Sequence, residues 1–152
     1  LDLLGVRGGT TVADIGAGDG YYAVRAAGRV GPRGRVFAED IVPRYLGLLQ
    51  DRVRDGGAAL ANVVLALGEP HDPRLPPDTI DVALLIHMYH EIEQPFGLLY
   101  NLWPALRPGA RVAILDTTRP TNQHGTPPAL LRCELAAMGY RQVAFHDTAP
   151  DE

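Results

Sequence analysis

One segment constrains the fold more than any other: Val12-Ala-Asp-Ile-Gly-Ala-Gly-Asp-Gly-Tyr-Tyr22. An apolar run enters a turn with glycine at 16, 18 and 20, and the chain leaves that turn with helical character. Strand, glycine turn and helix in that order build the ligand sites of open parallel sheets, because glycine allows backbone dihedrals and close approaches that a side chain forbids. The rest of the chain keeps the alternation. Short aliphatic runs at 11–15, 35–39, 63–66, 80–86, 110–115 and 140–145 read as strands buried on both faces. Amphipathic stretches at 21–30, 43–56, 95–106 and 127–138 read as helices, three of them opening on proline, which suits a first turn whose N–H is unpaired anyway. Pro104 should end or kink the third helix early. Residues 68–79 read as an ordered loop and residues 118–128 as a mobile one. The expected architecture is a doubly wound α/β sheet.

Composition narrows the chemistry. The chain of 152 residues is 46% hydrophobic and 21% charged, enough apolar material for the core of one domain. Its net charge of −4 gives no electrostatic footprint for nucleic acid or anionic lipid. All 14 basic residues are arginine and serine is absent, which excludes a Schiff-base lysine, a phosphate-loop lysine and a serine nucleophile in this stretch. The single cysteine, Cys133, excludes an intrachain disulfide and a Cys-x-x-Cys metal pair, and on its helix it reads as a small core residue. No metal site is expected, and no apolar run reaches the ~18 residues of a membrane span.

The acidic Asp40 ends the second strand and is placed to accept ribose hydroxyls. A dinucleotide site would fit that much, but a G-x-G-x-x-G turn needs glycine at 21, where the chain has Tyr21. The carboxylates of Asp14 and Asp19 beside the turn repel a pyrophosphate and tolerate a cationic ligand. Asp14-Ile-Gly-Ala-Gly-Asp-Gly20, Asp40-Ile-Val-Pro43, Gly68-Glu69 and Arg107-Pro-Gly109, in that order, resemble the class I S-adenosylmethionine-dependent methyltransferases. The resemblance covers about residues 12–145. It implies a Rossmann-like sheet of strand order 3-2-1-4-5-7-6, with the seventh strand outside the given sequence and an N-terminal helical segment ahead of Leu1. The expected unit is a single S-adenosylmethionine-binding domain, 1–152, truncated at both ends. Residues 146–152 have the turn composition that precedes a returning strand.

For individual residues the resemblance implies that Asp14, Gly16, Gly18 and Gly20 hold the methionine end of S-adenosyl-L-methionine. Asp40 would hold the ribose and Glu69 the adenine. Glu39 ranks second to Asp40, because strand alternation points it to the other face. Pro70 follows Glu69 and lacks the N–H that the family gives to the adenine ring, so that contact should shift to His71 or Asp72. The segment Ile86-His-Met-Tyr-His-Glu-Ile92 would line the sulfonium and the acceptor pocket, with His87 also near the cofactor. His87 and His90 are the candidate bases, since an unperturbed imidazole titrates near ~6.5. Asp116 is a further pocket candidate, or else a turn-stabilising residue. Tyr21 and Tyr22 either flank the methionine chain or pack the helix start. Methyl transfer from a sulfonium needs mainly alignment and desolvation, so the expected activity is transfer to a small-molecule acceptor chiefly by positioning, in the cytoplasm. The alternatives are a non-catalytic cofactor-binding module and a nicotinamide dehydrogenase, the latter disfavoured by Tyr21 and the missing lysine.

Overall fold

A computed structural model describes residues 1–146. The strands are β1 (Thr11–Ile15), β2 (Arg35–Asp40), β3 (Val63–Leu67), β4 (Ile80–Ile86) and β5 (Leu106–Leu115). The helices are α1 (Tyr21–Val30), α2 (Pro43–Gly56), α3 (Pro95–Leu102) and α4 (Pro128–Ala137). The five strands form one sheet of order β3-β2-β1-β4-β5, every neighbouring pair parallel. Alternation along the strands sorts the core into two clusters. Val12, Val36, Ala38, Val82 and Leu84 face α1 and α2 through Ala23, Ala26, Ala27 and Leu49. Ala13, Ile15, Phe37, Ala83 and Leu85 face α3 through Leu98 and Leu102. Burial on both faces is why these strands are mostly apolar rather than strictly alternating with polar residues.

Three expectations need correction. Helix α3 stops at Leu102 and passes through a short 3-10 turn, Trp103–Ala105, into β5. Pro104 causes this early stop, since it has no N–H to continue the ladder. β5 therefore starts at Leu106, four residues before the expected 110, and its pairing with β4 shifts between Ile80 and Val82.

The second correction concerns 140–145, which forms no strand, so the described sheet has five strands and lacks both the sixth and seventh. A strand needs a partner for its backbone groups, and this stretch does not pair with β5. Tyr140 is instead anchored by its own side chain: the hydroxyl donates to Leu99 O at 2.8 Å, and the ring meets Trp103 edge-on at 4.9 Å. Beyond it Val143 and Phe145 are exposed. Of the expected turn at 146–152, residues 147–152 lie outside the described residues.

Third, Cys133 is exposed rather than part of the core. Helix α4 packs against α3 and none of its residues is fully buried. The loop before it, expected to be mobile, is closed on itself: Thr117 Oγ1 donates to His124 O at 2.6 Å and Thr126 N to Thr117 O at 2.9 Å.

Candidate functional site

Parallel pairing brings the carboxyl ends of β1, β2, β4 and β5 to one edge, where the turn after β1 lies. Gly16, Gly18 and Gly20 have φ of +68°, +55° and +86°. A side chain at any of them is strained, so the glycines are what let the turn form. The turn is gripped by the end of β2. Gly18 N donates to Asp40 Oδ2 at 2.8 Å, Ala17 N to Glu39 O at 2.8 Å, and Gly16 N reaches Glu39 Oε2 at 3.4 Å. The other Asp40 oxygen accepts from Val42 N at 2.9 Å. The glycines differ in what surrounds them. A Cβ on Gly20 would come within 2.2 Å of Leu49 Cδ1, and one on Gly16 within 3.1 Å of the Met88 side chain. A Cβ on Gly18 would meet nothing within 4 Å, so the open face of the turn is there.

Three carboxyl groups converge under this turn. Asp14, Glu39 and Asp40 are 2%, 2% and 6% exposed, and among the described residues none of them forms an ion pair. Burial pushes the Asp14 carboxyl up to about 7; the Ala23 amide partly offsets this and the neighbouring Asp40 adds to it. Burial likewise pushes Glu39 up to about 8, against the Gly16 amide and with Asp40, Asp14 and Asp72 contributing in the same direction. Asp14 Oδ2 is buried without a hydrogen-bond partner. Buried polar atoms are normally satisfied, so this one marks a place that accepts a donor.

The loop after β3 abuts the same carboxylates. Gly68 N donates to Asp40 O at 3.2 Å, and a Cβ on Gly68 would collide with Glu39 Oε1 at 1.9 Å. Glu69 and Asp72 exchange backbone hydrogen bonds of 2.8 and 3.0 Å, while the Glu69 carboxylate pairs with Arg74. Tyr21 and Tyr22 stack edge to face at 4.9 Å, and the Arg25 guanidinium covers Tyr21 at 3.5 Å.

At the ends of β4 and β5 the two histidines separate. His87 is exposed with φ +54°, its N–H donating to Leu115 O at 2.8 Å. The His90 side chain is only 8% exposed, and its Nδ1 lies 3.0 Å from both oxygens of Asp116. Asp116 also accepts from His90 N at 3.2 Å, Thr117 N at 2.9 Å and Thr126 Oγ1 at 2.7 Å. Glu91 faces solvent.

A family model described as a methyltransferase domain matches residues 12–109. The chain belongs to the class I S-adenosylmethionine-dependent methyltransferases. It is 29% identical over 123 residues to the ubiquinone/menaquinone biosynthesis C-methyltransferase UbiE of Pseudomonas putida, covering 81% of this chain and 48% of that protein. The chain thus spans about half the length of the curated relatives it matches. Among solved structures, a SAM-dependent methyltransferase from Aquifex aeolicus superposes with a TM-score of 0.85 at 26% identity, covering 92% of this chain and 77% of that one. An arsenic(III) S-adenosylmethionine methyltransferase from Chlamydomonas reinhardtii shares the fold, with a TM-score of 0.75 at 18% identity, covering 87% of this chain and 52% of that one.

The structure brings Asp14, Gly16, Gly18, Gly20 and Asp40 together and leaves the Glu69 side chain turned to Arg74. Within the segment 86–92 it is Met88 whose side chain lies against Gly16 and joins the β4 end to the turn. Sequence reasoning missed Thr126 and His124, which a closed loop carries to the His90 side. No spacing in the sequence marks them.

Proposed function

We propose that this chain is a catalytic domain that transfers a methyl group from S-adenosylmethionine to a nucleophile on a small-molecule acceptor, chiefly by positioning. The observation that carries the reading is the open face of the turn at Gly18 above three buried carboxyl groups without ion-pair partners. Such a site suits a ligand that brings positive charge and hydroxyl donors with it. When bound, S-adenosylmethionine supplies a methyl group already activated on a sulfonium.

The chain's own residues do the rest. Asp40 accepts the ribose hydroxyls, and Gly16 and Gly18 offer an uncrowded backbone. Asp14, with its free oxygen, holds the ammonium end through water, and Gly20 lets the turn close onto α1. Glu69 and Asp72 border the adenine side. His87 and His90 line the acceptor side. A net charge of −4 gives no support for a nucleic-acid acceptor, and a chain without a disulfide suits the reducing cytoplasm. No helix among the described residues is long and apolar enough to cross a membrane.

Calorimetry tests the reading. The chain should bind S-adenosylmethionine and S-adenosylhomocysteine and not NAD. Asp40→Ala should weaken S-adenosylhomocysteine by tenfold or more, since each charge-assisted bond is worth about 1.5–3 kcal/mol. Wild-type affinity in that variant would remove Asp40 from the site. Single-turnover methyl transfer to a panel of metabolites separates an enzyme from a binding module that keeps the fold alone.

A further inference from the structure

We propose that His90, Glu91 and His124 form a binding site for a divalent transition-metal ion of the Zn2+ class. This inference is independent of the cofactor reading. One ligand atom from each of the three residues lies within 4.8 Å of the others, and His90 Nε2 stands 3.9 Å from Glu91 Oε1. A tetrahedral Zn2+ with bonds of about 2.0–2.1 Å holds its ligand atoms roughly 3.4 Å apart. Glu91 and His124 are both exposed, so their side chains can close that gap without disturbing the core.

Two further features point to a ligand rather than to chance proximity. The first is the tautomer. Asp116, with a side chain 3% exposed, holds His90 Nδ1 at 3.0 Å, and the Thr126 hydroxyl and Thr117 amide pin that carboxylate. Nδ1 is thereby the donor, which leaves the Nε2 lone pair free, and a carboxylate on the remote nitrogen is the usual support of a metal-bound imidazole. The second is His124. It is held at φ +56° by Thr117 Oγ1, which donates to its carbonyl at 2.6 Å, and by its own N–H, which donates to Thr121 O at 3.2 Å. Its ring lies edge-on to that of His90, with centroids 5.7 Å apart. Backbone strain of this kind persists only where surrounding bonds over-determine it. Two imidazoles and a carboxylate are a three-ligand set that leaves a fourth position open. His90 also lines a cavity of about 40 Å3, together with Tyr89, Thr121, Thr126 and Glu134 among others.

The test uses the untagged full chain, stripped with chelator and dialysed against Zn2+, with Co2+ as a spectroscopic substitute. The chain should take up one Zn2+, and Co2+ should give the intense visible absorption of a tetrahedral site. His124→Ala and Glu91→Gln, both at exposed positions, should each weaken Zn2+ by at least tenfold with unchanged melting of the metal-free protein. Asp116→Asn should weaken it about 10–100-fold. Absence of stoichiometric uptake, or uptake unaltered by both exposed substitutions, overturns the proposal and leaves His90–Asp116 as a structural pair. Binding of S-adenosylhomocysteine, measured on the same metal-free sample, reports separately on the cofactor reading.

Discussion

Gly18 and Gly20 sit two positions apart in one turn, yet their roles separate. Both have positive φ, so alanine at either position carries about 1–2 kcal/mol of backbone strain. At Gly20 the new methyl also runs into Leu49, which is fully buried and has little room to move. Overpacking of that kind adds about 1–3 kcal/mol. Gly20→Ala should therefore lower the urea midpoint clearly more than Gly18→Ala. Affinity should order the other way, because the open face is at Gly18: Gly18→Ala should weaken S-adenosylhomocysteine tenfold or more, while folded Gly20→Ala binds within a few-fold of wild type. Equal affinities in the two variants would show that the cofactor does not run along Gly18.

Among the elements, α3 and α4 make the sharpest contrast. Leu102 at the end of α3 is fully buried, whereas Leu130 on α4 is 40% exposed. Leu102→Ala should cost about 2–5 kcal/mol in denaturant unfolding, and Leu130→Ala about 0.5 kcal/mol or less. A large loss at Leu130 would mean that α4 carries core packing. The same contrast explains what could be read from the chain. Strands 11–15, 35–39 and 80–86 are legible because a run buried on both faces is mostly apolar, and turn residues bound each one. Residues 140–145, with Tyr140, Val143, Ala144 and Phe145, also look like a strand but form none, because a strand is a property of a pair. Glu39 is half legible: alternation does place it away from Asp40, but its side chain is long enough to reach back to the Gly16 amide. His124 and Thr126 were beyond reach, since loop closure by Thr117 positions them and no local pattern encodes it.

For the molecule as a whole, the buried carboxyls link stability to pH. Asp14 and Glu39 titrate near about 7 and about 8 in the folded chain, against ordinary values near 3.8 and 4.5. Between those limits the folded state binds more protons than the unfolded one, so stability falls as pH rises. The melting temperature should thus decline from about pH 5 to about pH 8 and level off above it, beyond what other groups contribute. Asp14→Asn and Glu39→Gln should flatten the slope. A slope unchanged in both variants would assign the linkage elsewhere. Cation binding favours the ionised carboxyls, so S-adenosylmethionine should release protons on binding near neutral pH, more than its uncharged-sulfur product does. The all-parallel sheet also has a consequence in time. With no hairpin among the described strands, none of them pairs with its neighbour until an intervening crossover has been made, and loops of that length close slowly. β1 is flanked by β2 on one side and β4 on the other, and Thr11 bonds to Asp81 across 70 residues. During synthesis the glycine turn therefore leaves the ribosome long before the strand that completes its support exists.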